Sequence, residues 1–180
     1  MRDLITVKID DQSALAALAK IRAAGINPRP LLLEIGEDLM ATTKQRFQSS
    51  TAPDGSKWDK NSPATMARWL SAKSNHKKSG GLSKRGQAKA ASKKPLIGKS
   101  KRLSSSITYI VGGNMLQVGS PMIYASTQQF GAGKGEFGTT RRGSPIPWGD
   151  IPAREFLGLS AEDSANIIDL AEDYLRRAIR

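Results

Sequence analysis

The chain has no cysteine and only one histidine, His76. Without cysteine there is no disulfide framework, no thiol nucleophile and no thiolate-bound zinc site. A lone histidine leaves no Ser-His-Asp or Cys-His constellation to assemble. No apolar run approaches the about 20 residues that a membrane-spanning helix needs, so no membrane partner is expected. The opening MRDLITVKID lacks the apolar core of a signal peptide, and a cytoplasmic site of synthesis is expected. Aromatic residues are few, with three Trp, three Tyr and four Phe in 180 residues. A chain of this length is most simply one domain, 1–180, and buries roughly 70% of its unfolded surface, enough for a core without staples.

Acidic residues are missing from one place in particular. Residues 71–102 hold eleven of the 28 Lys and Arg and no Asp or Glu; the remaining 17 basic residues face 16 acidic ones. The formal charge of +12 therefore belongs to one segment. That segment is rich in Lys, Ser, Gly and Ala, which bury too little apolar surface to offset ordering entropy. Residues 73–94 are accordingly expected to be a basic mobile loop. Residues 132–150, with Gly, Arg and Pro throughout, are expected to be a second, Gly/Pro-rich loop.

The regular elements announce themselves by spacing and caps. Ile5, Val7 and Ile9 alternate with polar residues as in a strand. Asp11 is placed to cap a short helix that Gly25 stops. Pro30 opens a long helix to about Phe47, with Leu32, Ile35, Leu39, Thr43 and Phe47 on one face. Pro53-Asp54-Gly55 is a turn. Ser62-Pro63 starts a third helix through about Lys73. SITYIV and MLQVG flank Gly112-Gly113-Asn114 as a hairpin. MIYASTQQFG reads as a short helix stopped by Gly131, and IPAREFLGL as extended. Ser160 caps a C-terminal amphipathic helix whose stripe is Ile167, Leu170, Ala171, Tyr174, Leu175 and Ala178. The fold class expected is α+β: a single domain with a small antiparallel sheet, a long helix near the N-terminal third, that C-terminal helix and long inserted loops.

Catalytic chemistry finds little to work with. GAGKGEFGTT, residues 131–140, resembles a phosphate loop, but Gly135 follows Lys134 where a Ser or Thr would hold magnesium. The dinucleotide pattern fails at Glu136. His76 has no carboxylate beside it and reads as a solvated loop residue. The pairs Glu37-Asp38, Glu162-Asp163 and Glu172-Asp173 are neighbours in helices and do not face one another. No catalytic residue, metal site or cofactor is expected, and the chain is not expected to be an enzyme. Trp58 and Trp69 either stack bases or clamp short elements to the core, the second being preferred. Trp148, among prolines in PIPWGDIP, suits a partner anchor.

Four fragments in order carry a resemblance: RFQSSTAPDGSKW (46–58), KPLIGKSKRLSSSI (94–107), QVGSPMIYASTQQFG (117–131) and IPAREFLGLSAED (151–163). Together, over roughly 30–180, they resemble the phage virion morphogenesis, or tail completion, family of Mu-like and P2-like phages. Gln128 stands where the family often has His, and Glu155 where it often has Pro. The resemblance implies a structural protein of the head–tail junction, a neck or tail-completion component. It also implies a homo-oligomeric ring (a hexamer by that likeness) and other neck and tail proteins as partners. Localisation would be in the virion after assembly in the host cytoplasm.

Within that frame, Trp148, Arg154, Phe156 and Leu157 are partner-interface candidates; Phe156 and Leu157 serve equally well as core residues leading into the last helix. Lys77, Lys78, Lys84, Arg85, Lys89, Lys93 and Lys94 are polyanion-contact candidates, reaching either DNA in the channel or an acidic protein surface. The competing reading is a non-specific nucleic-acid-binding module acting through this segment, although no helix-turn-helix, zinc-finger or single-strand-binding signature accompanies it.

Overall fold

The computed structural model describes residues 27–179 together with positions 16, 19, 20, 22, 23 and 25. Those isolated positions are helical, as expected for the first helix; the strand expected at 4–9 and the Asp11 cap lie outside the described residues. The central element is α1, Arg29–Ser49, with a proline in its first turn and left-handed Ser50 at its end. It is followed by α2 (Pro63–Trp69), α3 (Lys84–Ala91), α4 (Arg102–Ser105), strands β1 (Thr108–Gly112) and β2 (Met115–Gly119), α5 (Ala125–Phe130) and α6 (Ala161–Ile179). This is the expected α+β domain, with one two-stranded antiparallel sheet among the described residues.

Helix α1 touches both the hairpin and α6, so it organises the fold. The hairpin pairs Thr108 with Gly119 and Gly112 with Met115. Alternation turns Tyr109, Val111, Leu116 and Val118 towards α1 and leaves Ile110 and Met115 outside. Gly36 explains how closely they meet. A Cβ there would stand within 3 Å of three Tyr109 ring carbons. Glycine in a helix interior costs about 1 kcal/mol relative to alanine; here it is the seat of an aromatic ring. The Tyr109 hydroxyl then donates to Glu37 Oε1 at 2.9 Å.

The core is built around three aromatic rings. Phe47 lies edge-on to Trp58 at 5.5 Å between centroids and tilted on Phe156 at 5.2 Å. Leu103, Ile107 and Ala125 complete the buried cluster, with Met40, Val118, Met122 and Leu157 packed against it. Each aromatic comes from a different part of the chain, and dispersion and area burial make such clusters the main source of stability. At the other end, α6 lays its half-buried stripe on α1, while Leu175 and Ile168 stay exposed. Arg177 forks onto both oxygens of Glu34, at 3.0 and 2.7 Å.

Residues 73–94 depart from the expected loop. They form a 3-10 turn at Lys73–Asn75, a bridge between His76 and Leu82, and helix α3. The anchor is polar. Asn75 is 1% exposed; its side chain donates to the Leu70 carbonyl and its own carbonyl accepts from Ser83 N. Gly86 packs flat on that carbonyl, where any Cβ would collide with it. Ser83 caps α3 through Gly86 N at 3.1 Å. Composition alone missed the segment because its fastening uses hydrogen bonds and not apolar area. The Ser83 cap, followed by the helix formers of KRGQAKAA, was the available signal.

Residues 132–150 contain no helix or named strand, as expected. They are nonetheless tied together, by Phe137 N to Ile146 O at 2.8 Å and Thr140 N to Ser144 O at 2.8 Å. The ends of the loop meet where Ala132 bridges Ile151. Gly131, the expected stop of α5, has φ +78.

Candidate partner-binding surface

The segment between the second loop and α6 is held from three directions. Gln129, buried on α5, accepts from the Phe156 and Leu157 amides through Oε1, each at 3.0 Å, and donates Nε2 to Leu157 O. Arg46 on α1 donates to Phe156 O and Gly158 O at 3.1 and 2.8 Å, and its other nitrogen pairs with Asp163. Trp58 donates its indole N–H to Glu155 O at 2.9 Å. The Phe156 and Leu157 amides and the Glu155, Phe156, Leu157 and Gly158 carbonyls thus each find a side-chain partner.

Asp163 closes this network. Ser160 donates to its Oδ2 from both N and Oγ at 2.7 Å, and Asp163 N returns a bond to Ser160 Oγ. The result is a reciprocal helix cap with Asp in place of the usual Glu or Gln. Burial by itself would raise the Asp163 pKa. The bonds from Ser160 and Thr42 and the charge of Arg46 outweigh it, and the carboxyl is held below its ordinary value. Asp163, expected from the sequence only as a helix-start charge, thus pairs with Arg46 at a separation of 117 residues, and nothing local links the two.

Of the interface candidates, this arrangement turns Arg154 inward and decides the open choice for Phe156 and Leu157 in favour of the core. Arg154 is buried, and its guanidinium donates to the Asp59 and Lys60 carbonyls at 3.0 Å each. Phe156 is fully buried in the aromatic core. Leu157 packs against the same core. They brace the domain from inside, because the carbonyls of Asp59 and Lys60 and the Gln129 side chain draw the segment inward. Trp148 is different: it is 77% exposed. Sequence reasoning missed its exposed company. Ile123 and Tyr124 precede α5, Phe130 ends it, and Phe137 lies on the same loop as Trp148. Isolated exposed apolar residues are ordinary; with Ile146, six exposed aromatic or large apolar residues fall in one stretch of 26 positions (123–148), a composition suited to a protein-binding surface.

The basic candidates also divide. Lys77, Lys78, Lys84 and Arg85 are exposed. Lys89 and Lys93 stand 5.2 and 5.1 Å from the centre of the Trp69 ring, whose N–H bonds Lys89 O. Trp69 is therefore the clamp that fixes α3, and Trp58 is the core clamp. Lys93 donates to Lys94 O and Ile97 O, and Lys94 donates to Gln48 O. Both ammonium groups thus bond the protein's own carbonyls, Lys93 from a half-buried position and Lys94 from an exposed one. His76 Nε2 lies 2.9 Å from Leu70 O, a fastening and not merely a solvated position. Among the described residues no group of three or more His, Asp or Glu is placed to hold a metal ion, and no helix is long and apolar enough to cross a membrane.

The described residues thus form a single domain wound on one long helix, with a buried polar brace and an exposed apolar loop. The model of the phage virion morphogenesis family matches residues 9–176, and the chain belongs to that family. No curated protein and no solved structure matches it.

Proposed function

We propose that this protein is a structural component of the head–tail junction, a neck or tail-completion subunit that works as a ring and is needed for infectious virions. The observation that carries the reading is the family match across 9–176, nearly the whole chain. The exposed residues Trp148, Phe130 and Phe137 support it, since an assembling subunit must present apolar surface that becomes buried in the particle. Neighbouring copies and other neck and tail proteins are the partners, and no catalytic step or cofactor enters. The exposed Lys77, Lys78, Lys84 and Arg85 support a secondary, sequence-independent contact with DNA in the channel.

Deleting the gene from the phage tests the proposal. Heads and tails, or defective tails, should accumulate without forming infectious particles, and complementation should restore plaques. Normal plaque formation by the deletion would overturn it. Native mass spectrometry of the purified protein reads the ring, with a closed oligomer as the expected species.

A further inference from the structure

A cavity of about 420 Å³ opens beside Arg154 and Lys93, with Lys60, Asn61, Gln128 and Asp150 also in its lining. Its volume lies within the range of ligand clefts, about 300–1,000 Å³. Two cations meet here from positions 61 residues apart, and no carboxylate among the described residues stands at ion-pair distance from either. Arg154 spends Nε and Nη2 on the Asp59 and Lys60 carbonyls; no described residue accepts from its Nη1. Burial, and then the charge of Arg154, lowers the Lys93 pKa; burial lowers that of Arg154, partly offset by Asp59. Two like charges brought together, with Asp59 and Asp150 nearby but neither at ion-pair distance, are a cost that a structure carries when something else neutralises them.

We propose that this cavity receives a carboxylate side chain from an acidic segment of a neighbouring protein subunit. The inference rests on the assembly reading for the identity of that neighbour. Three features favour a protein carboxylate over a phosphate. Arg154 is only 8% exposed, so a duplex backbone cannot reach its guanidinium, whereas an inserted side chain can. Leu96, Ile151 and Pro152 line the walls and suit the aliphatic stem of a glutamate. Asp150, which accepts from Lys134 N at 2.8 Å, also faces the cavity and repels a multiply charged phosphate more than a single carboxylate. A guanidinium with free donors beside an ammonium is a strong charge-assisted receptor for such a group.

The test is a titration of the full-length protein with N-acetyl-glutamate N-methylamide, followed by ¹H–¹⁵N NMR. Saturable shifts should appear at the Gly98, Gln128 and Ile151 amides and at Arg154 Nε. The neutral glutamine analogue should produce none. Lys93→Met should weaken binding at least tenfold; should that variant fail to fold, Lys60→Met, at an exposed position, should weaken it severalfold. Equal binding of inorganic phosphate or of the glutamine analogue would overturn the proposal, as would absence of saturable shifts. Virion incorporation is scored separately. A folded Lys93→Met protein that loses the probe yet enters particles at the wild-type level would refute the neighbouring subunit as the occupant. If the gene deletion forms normal plaques, the assembly reading fails while the titration still decides the pocket.

Discussion

Arg46 and Asp163 form a buried ion pair between the two long helices, with side chains 8% and 1% exposed. Breaking a buried pair from one side leaves an uncompensated charge, which typically costs about 3–5 kcal/mol. Asp163→Ala should lose that much in denaturant unfolding and also the cap of α6. A loss below about 1 kcal/mol would show that the pair is dispensable.

The same pair sets the acid limb of stability. The folded Asp163 pKa lies below the ordinary aspartate value, so the folded state favours the carboxylate. Its contribution is fully present above the unfolded value and disappears as pH falls through the folded one. Melting temperature should therefore drop below about pH 4. Asp163→Asn, less stable at neutral pH, should show a flatter drop in the same window.

Gly36→Ala ought to stabilise an ordinary helix. Here the methyl group meets the Tyr109 ring, and overpacking of this kind costs about 1–3 kcal/mol. The variant should unfold at lower denaturant concentration than wild type, and combining it with Tyr109→Ala should make the added methyl neutral or favourable. Increased stability of the single variant would contradict the close packing.

Trp148 and Phe156 should separate assembly from folding. Phe156→Ala removes a fully buried ring and should cost about 3–5 kcal/mol. Trp148→Ala should change stability by less than about 0.5 kcal/mol while lowering incorporation into particles. Parallel losses of melting temperature and incorporation for Trp148→Ala would assign it to folding alone.

The basic segment should bind DNA weakly and without sequence preference. If about four of its cations engage phosphates, log affinity should fall against log salt with a slope of about −4. Replacing Lys77, Lys78, Lys84 and Arg85 by Gln should remove most of that slope. Trp69→Ala should speed tryptic cleavage between 77 and 91, since it removes the N–H bond to Lys89 O and the ring beneath two ammonium groups. A salt-insensitive, sequence-selective complex would instead place recognition on the folded domain.

Much of this architecture is legible in one dimension, because its signals are local. A proline in a first turn, Ser62 and Ser160 caps, the 3.6-residue stripe of α1 and the alternation around Gly112-Gly113-Asn114 each act within a few residues. They determine α1, α2, the hairpin, α5 and α6, and PIPWGDIP marks Trp148 as a surface residue. The tertiary structure alone decides where the charges point. Arg154 turns inward because two carbonyls 94 and 95 residues away converge on it, and Arg46 because Phe156, Gly158 and Asp163 arrive together. Lys93 is drawn towards the Ile97 carbonyl and the Trp69 ring, and α3 is fastened by the buried Asn75 and by Trp69. A charged side chain is assigned to water by composition and brought indoors only by distant acceptors, whose positions no local pattern records.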